Sequence, residues 1–480
     1  MKETRLYING EFIENGSREM RDNINPATEE VISRFPMATD VDVEAAVDAA
    51  YEAQKSWEKI PPIERANYLM ELVGLVRENQ ELFARTNTEE MGKPLAQSMD
   101  EAGWLADYLQ YYAACARHIK GEIIPSDRPN ENILMYRMPL GVCAGVMPWN
   151  FPLFLIGRKV APALVAGNTV VLKASSDCPN GAYEFAKLVD KSSLPKGVIN
   201  VITGPGATTG TALATNPKVA MVSLTGSTNA GKAIMRSAAE NVTKVSLELG
   251  GKAPVIVMAD CDLDDTIEHV YNSRIINTGQ ACNCAERVYV QEEIYDEFVE
   301  KITARIGGAT YGPGLAGEFD MGPMVNKGQQ ESVDALVQSA IAEGATVKCG
   351  GHKTTVDGKG YFYEPTVVAD CTHDMTIMRE EIFGPVLPIT KFKTLDEAIE
   401  KANDCVYGLT SSIYTTNYDT VMRAMNEIKF GETYVNREHF EAFQGFHQGV
   451  RQSGIGGDDG EHGLDEYTDT HICYIDYKVK

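Results

Sequence analysis

Three short segments carry side chains suited to acyl chemistry. Residues 277–287 read N-T-G-Q-A-C-N-C-A-E-R and set Cys282 among small and amide-bearing neighbours, with Gly279 three positions earlier. A thiol in that setting is open to a substrate, whereas a cysteine that fills a core sits among apolar side chains. In L-E-L-G-G-K, Glu248 precedes two glycines and supplies a carboxylate. In P-W-N-F-P, Asn150 lies between Trp149 and Phe151 and supplies a side-chain amide. A sulfur nucleophile, a base and an amide donor are the groups needed to oxidise an aldehyde through a thioester.

The chemistry would run as follows. A bare aldehyde does not readily lose hydride toward the acid level, because an oxygen must also be added. Attack by the Cys282 thiolate makes a tetrahedral hemithioacetal. Its oxyanion would be met by the amide of Asn150 and the backbone N–H of Cys282. Hydride departs to a nicotinamide, and Glu248 activates the water that cleaves the thioester. Taken singly, each residue has a plainer reading: lone cysteines are mostly structural and most glutamates decorate the surface. Their conjunction outweighs it. Cys284 has no assigned role; it is either inert or a partner of Cys282 in an oxidised species.

Such groups need a rigid frame. From residue 141 the chain alternates near-continuous apolar runs (G-V-C-A-G-V-M-P, T-V-V-L-K, V-I-N-V-I-T, V-A-M-V-S-L-T-G) with helical stretches, the pattern of a parallel α/β sheet. A second α/β section starts near 250, with P-V-I-V-M and R-V-Y-V-Q as strands. Residues 5–35 read as short strands. Asp40 is the expected cap of a helix over 41–58, with Val43, Ala46, Val47, Ala50 and Tyr51 on one face. Residues 121–140 read as a hairpin extending from the body. Two glycine clusters compete for a nucleotide: T-G-P-G-A-T-T-G, with Gly204, Gly206 and Gly210, and L-T-G-S-T-N-A-G-K, with Gly226, Ser227 and Gly231. Each runs from strand to helix, and either helix N-terminus suits a pyrophosphate. Neither ends in the K-[ST] of a P-loop.

Composition narrows the partners. A chain of 480 residues can bury a large core, and its net charge of −24 repels nucleic-acid phosphates. Its ten cysteines form no C-x-x-C pair and no zinc-spaced cluster, so no metal site is expected. That count in so long a chain suggests reduced thiols in a cytoplasm. No signal core opens the sequence and no apolar run is long enough to span a bilayer, which predicts a soluble protein away from membranes.

Together P-W-N-F-P, L-T-G-S-x-x-x-G, L-E-L-G-G-K, G-Q-x-C, E-E-I-F-G-P-V and S-G-I-G-G, in this order, resemble the NAD(P)-dependent aldehyde dehydrogenases over nearly the whole chain. The resemblance implies a Rossmann-like cofactor domain (1–118 and 140–249), an α/β catalytic domain (250–449), and a bridging β-hairpin oligomerisation element (119–139 and 450–480) that builds dimers or homotetramers. It implies that Pro148 and Trp149 border the cofactor, that Lys173 binds the adenine ribose, and that Ser227 meets the pyrophosphate. It gives Glu381 and Phe383 to the nicotinamide ribose and ring, and it makes the second glycine cluster the pyrophosphate loop. Many NAD-specific relatives carry a glutamate where this chain has Ser176. A serine there admits a 2′-phosphate and Asp177 opposes one, so NAD and NADP both stay open.

Three segments, N-F-P-L-F-L-I-G-R-K, Q-x-C-N-C-A-E-R and N-R-E-H-F-E-A-F-Q-G-F-H, resemble bacterial lactaldehyde and glycolaldehyde dehydrogenases within that family. The resemblance gives Arg158, Asn283, Glu441 and His447 to the hydroxyl of a short 2-hydroxyaldehyde. Those groups would be left unpaired by an apolar aldehyde. A rival substrate class is anionic (succinic semialdehyde, sulfolactaldehyde, glyceraldehyde 3-phosphate), anchored by Arg158, Arg437 or Arg451. An acylating enzyme would not need Glu248, and a scaffolding relative would not need Cys282 or Asn150.

Overall fold

The computed structural model describes residues 2–478; Met1, Val479 and Lys480, at the outer ends of the segments 1–118 and 450–480, lie outside the described residues. The apolar runs become two large sheets. The first has eight strands in the order Gly454–Ile455, Lys244–Glu248, Val219–Thr225, Val142–Val146, Thr169–Lys173, Ile199–Ile202, Leu6–Ile8 and Glu11–Ile13. Its five central strands are parallel, and the flanking Gly454–Ile455 and Leu6–Ile8 are antiparallel. Val142–Val146 and Thr169–Lys173 are buried throughout, as strands covered by helices on both faces must be.

The second sheet runs Thr346–Cys349, Thr366–Ala369, Val386–Phe392, Arg287–Gln291, Pro254–Val257, Thr410–Tyr414 and Glu432–Val435, parallel except at its first pair. The first sheet aims the C-terminal ends of its parallel strands, where α/β proteins hold ligands, at the site, with Thr225 and Glu248 at two of them; the second presents strand N-terminal ends there, since Gly250, Cys282 and Phe383 precede Pro254–Val257, Arg287–Gln291 and Val386–Phe392. The chain leaves the second sheet at Val435 and rejoins the first at Gly454. The intervening loop carries Glu441 and His447.

A third, antiparallel sheet joins Glu122–Pro125, Glu131–Pro139 and Thr468–Asp476, with Thr468 opposite Pro139 and Asp476 opposite Glu131. It exposes Ile123, Tyr136, Met138, Ile472 and Tyr474.

The first long helix, Asp40–Trp57, corrects two expectations. Its cap is Thr39, not Asp40: the Thr39 hydroxyl accepts from the Asp42 N–H while the Asp42 carboxylate accepts from the Thr39 N–H. This reciprocal box satisfies two orphan donors, and Arg18 holds the Asp42 carboxylate with two N–H groups. Tyr51 faces solvent, and the buried face continues instead through Gln54 and Trp57, the next positions on the same stripe. Helix Pro152–Ala166 has no solvent-exposed face, and even its Arg158 and Lys159 are buried; it packs against Leu95–Cys115.

Candidate active site

Cys282 follows a turn that bends against the usual hand. Asn277, Thr278 and Gly279 have φ of 48°, 59° and 71°. Left-handed backbone costs a non-glycine residue roughly 1–2 kcal/mol, so the turn must be held from outside. The Asn277 N–H donates to Gln97 Oε1 (2.9 Å), and the Asn277 amide donates to the carbonyls of Asn150 and Gln280. Thr278 Oγ1 donates to Gly322 O (3.1 Å). Gly279 abuts the carbonyl of Gly384 with no room for a Cβ, which explains the glycine three residues before the thiol. Arg274 donates to the carbonyls of Gly279 and Ala285, on either side of the cysteine.

Asn150 lies just before helix Pro152–Ala166, whose N-cap is Phe151. Its Nδ2 donates to Gln280 O at 3.1 Å, leaving a second N–H for another acceptor. Beneath it, the buried Lys93 ammonium donates to Asn150 O (3.0 Å), and its partner Glu101 accepts from the N–H groups of Leu153 and Phe154. The carboxylate at this helix N-terminus satisfies orphan donors and favours the local dipole.

Glu248 ends strand Lys244–Glu248, directly opposite Thr225. It is buried, and neither carboxyl oxygen has a hydrogen-bond partner. Burial is the main cause that pushes its pKa up to about 8, against an opposing pull from His447. A buried carboxyl without partners is costly, which marks a group kept free for a reactant.

Two cavities meet at these residues. One is lined by aromatic side chains, Trp104, Tyr108, Phe154, Phe440 and Phe443 among them, together with Arg158, Asn283, Glu441 and His447. The other contains Pro148, Trp149, Gly226, Ser227, Glu248, Glu381 and Phe383. Asn150, Thr225 and Cys282 line both.

The polar residues of the first cavity are interlocked. Arg158 donates twice to Asp459 (3.0 and 2.6 Å), once to Glu441 Oε1 (3.0 Å) and once to the Tyr108 hydroxyl. Asn283 Nδ2 donates to Glu441 Oε2 at 2.5 Å. Burial would raise the Glu441 pKa, but His447 and Arg158 outweigh it and hold the carboxylate below its ordinary value. His447 Nδ1 donates to Glu432 Oε1 at 2.7 Å, and its Nε2 lies 3.7 Å from Glu248 Oε2.

The second cavity has the features a dinucleotide needs. Ser227 caps helix Thr228–Ala238 by accepting from the Ala230 N–H, so the hydroxyl proton and the helix N-terminus face outward for an anion. The buried Thr225 hydroxyl has no partner. Glu381 Oε1 accepts from the Gly251 N–H (2.7 Å), and burial raises its pKa to about 8. Phe383 adopts a left-handed φ of 54° and sets its ring edge-on to Trp149 at 5.4 Å. These residues fit a nicotinamide and its ribose.

Other expected cofactor residues lie outside that cavity. Lys173 donates to Ala174 O, and burial lowers its pKa to about 8. Ser176 donates to Gly204 O and lines a separate opening with Asp177 and Asn326. Gly206 and Gly210 begin and end a short helical turn, with φ values that do not demand glycine. Gly231 has a packing reason instead: a Cβ there would stand 2.6 Å from Leu249 Cδ1. Cys284 is buried and its thiol donates to Ala281 O at 2.9 Å, which favours the inert reading. Arg437 and Arg451 do not line the aromatic cavity. Arg437 pairs with Glu438, and Arg451 donates to backbone carbonyls of Asn403, Cys405, Tyr407 and Lys429.

Several residues that hold this geometry went unread in the sequence. Glu286, between Lys252 and Arg274, accepts from the N–H groups of Ile382 and Phe383 and so ties the Cys282 segment to the Phe383 turn. Glu432, Asp459 and Tyr108 are equally hidden, since their partners are remote in sequence. Among the described residues, no cluster of His, Cys, Asp and Glu is placed to hold a metal ion, and no helix is long and apolar enough to cross a membrane.

Comparison with known proteins agrees with this geometry. Residues 12–473 match the aldehyde dehydrogenase family. The chain is 52% identical to lactaldehyde dehydrogenase of Escherichia coli (strain K12) over 471 residues, 98% of each chain. It is 38% identical to an NADP(+) D-glyceraldehyde dehydrogenase of Picrophilus torridus, covering 98% of this chain and 96% of that one. A crystal structure of the E. coli lactaldehyde dehydrogenase superposes with a TM-score of 0.97 at 51% identity, over 99% of both chains. With a thiol at the junction of two cavities and a match to such enzymes along its length, the protein belongs to the aldehyde dehydrogenase family.

Proposed function

We propose that this enzyme oxidises short 2-hydroxyaldehydes, lactaldehyde and glycolaldehyde among them, to their carboxylic acids with NAD or NADP. The observation that carries the reading is the shared wall. Cys282 and Asn150 are reached from an aromatic cavity containing Glu441 and Asn283 on one side and from the Glu381–Phe383 cavity on the other.

In the reaction, Cys282 adds to the aldehyde carbon. The free N–H of Asn150 and the Cys282 backbone N–H receive the oxyanion. Glu381 and Phe383 would hold a nicotinamide, which would supply the hydride acceptor for that carbon. Glu248, ionised, then takes a proton from the water that attacks the thioester, and the acid leaves. Glu441 accepts from the substrate hydroxyl, and the Asn283 amide and His447 ring donate to it. Arg158 is charge-paired with Asp459 and Glu441, and Glu441 beside it would repel an anionic tail, while Arg437 and Arg451 are occupied elsewhere. Those three facts count against the semialdehyde and phosphate class.

The reading extends to organisation. Residues 1–118 and 140–249 serve the cofactor, 250–449 supply catalysis, and 119–139 with 450–480 bridge subunits of a homotetramer. The exposed apolar side chains of the three-stranded sheet support the last point. Strand Gly454–Ile455 also completes the first sheet. Ten free thiols suit a reducing cytoplasm.

Initial rates with lactaldehyde, glycolaldehyde, propanal and succinic semialdehyde, each with NAD and NADP, test the proposal. The hydroxyaldehydes should have the highest kcat/KM; preference for the semialdehyde would refute the substrate assignment. Glu441→Gln should lower kcat/KM for lactaldehyde by about 10²-fold, the cost of an unmet hydrogen bond to a charged group, while propanal loses far less. Equal losses for both would remove Glu441 from hydroxyl recognition. Asn150→Ala should lower kcat by roughly 10²–10³-fold with KM little changed, as for other oxyanion donors.

A further inference from the structure

His447 stands between three reactive groups, and the second-sheet strand Glu432–Val435 controls it. Its Nδ1–H donates to Glu432 Oε1 at 2.7 Å, and the other Glu432 oxygen accepts from the Tyr434 hydroxyl. The opposite edge of the ring lies 3.7 Å from Glu248, in the cavity that Cys282 also lines. Both ends of this arrangement are rigid. The Glu432 backbone is paired within the sheet, and His447 exchanges N–H and C=O bonds with Asp458. The line Cys282–His447–Glu432 thus has the order of a nucleophile, an imidazole and an orienting carboxylate.

We propose that Glu432, acting through His447, keeps Cys282 as a thiolate before any substrate binds. The Sγ–H bond breaks and an Nε2–H bond forms; the Nδ1 proton stays donated to Glu432, and no electrons change hands. When the sulfur adds to the aldehyde, the imidazolium remains beside the hemithioacetal. Glu432 is a positioning residue, since it touches neither substrate nor sulfur. Asp458 is paired with Lys159, and Arg158 is shared between Asp459 and Glu441, so Glu441 also faces the ring as a negative charge. Of the carboxylates around the ring, Glu432 is the one that hydrogen-bonds it. Burial pulls the ring toward its neutral form, but Glu432, Cys282 and Glu441 outweigh it and hold the His447 pKa well above the usual value. The inference rests on Cys282 as nucleophile but not on the identity of the aldehyde.

The test is the pH dependence of Cys282 alkylation by iodoacetamide in the full-length protein, with the modified cysteine located by mass spectrometry. Wild type should remain reactive at lower pH than either variant. Glu432→Gln and His447→Gln should each raise the midpoint by about one pH unit or more, and the double variant should move no further. Glu432→Asp should restore part of the shift. Coincident profiles for Glu432→Gln and wild type would overturn the proposal, as would a shift produced by Glu248→Gln alone. Should the Glu432 variants fail to fold, ultraviolet thiolate absorbance at neutral pH decides: wild type must exceed Cys282→Ala, and equal absorbance overturns it. Turnover that survives Cys282→Ala would sink the nucleophile assignment and this inference with it, whereas a wrong aldehyde would leave the alkylation profiles unchanged.

Discussion

Replacing Cys282 by alanine is expected to lower turnover by at least about 10⁴-fold, the scale on which loss of a covalent nucleophile acts. No other sulfur can substitute. Cys284, two residues on, is buried and directs its thiol to Ala281 O, away from the cavity. The cofactor residues should be unaffected, because Glu381, Phe383 and Ser227 are held by Gly251, Glu286 and their own helix rather than by the thiol. Titration of the variant with NAD or NADP, followed by quenching of protein fluorescence, should therefore give near wild-type binding beside an absent rate. Appreciable turnover in this variant would refute the thioester route.

Replacing Glu248 by glutamine should separate the two halves of the reaction. The first half needs Cys282 and Asn150 and should still release about one reduced cofactor per active site in a burst. The second half needs a base, and steady-state turnover should fall by roughly 10²–10⁴-fold. The pH profile supplies an independent check. Burial pushes the Glu248 carboxyl up to about 8, so at neutral pH most of it is protonated and inactive as a base. Deacylation in wild type should therefore rise with pH through about 8 and level above it, and that limb should vanish in Glu248→Gln. Loss of the burst together with the steady state would place Glu248 in the first half instead.

The proposed catalytic groups are legible because each sits in a long segment whose residue types suit one chemistry, and the structure gathers Cys282 and Asn150 at one junction with Glu248 in the adjoining cavity. Gly279 is an instance: a glycine three residues before a thiol reads as access, and the backbone of Gly384 turns out to require it. Strands such as Val142–Val146 and Val219–Thr225 were equally plain, since burial on both faces leaves continuous apolar runs. What sequence hides is pairing at a distance. Arg158 reads as a ligand for substrate, yet its donors belong to Asp459, 301 positions away, and to Glu441. Lys93–Glu101 and Lys252–Glu286–Arg274 are buried charges that look like surface residues until the fold brings their partners together. The cap of the first long helix was misplaced by one residue for a local reason: Asp40 and Thr39 are both capping types, and only the reciprocal bond with Asp42 selects between them.

The central claim is a covalent acyl group on Cys282 that awaits a base. It is tested most directly by acid-quenching Glu248→Gln after mixing with cofactor and lactaldehyde, then weighing its peptides by mass spectrometry. The account predicts one 2-hydroxyacyl group on the peptide that contains Cys282, at close to one per subunit. An unmodified Cys282 beside reduced cofactor in equal amount would contradict it.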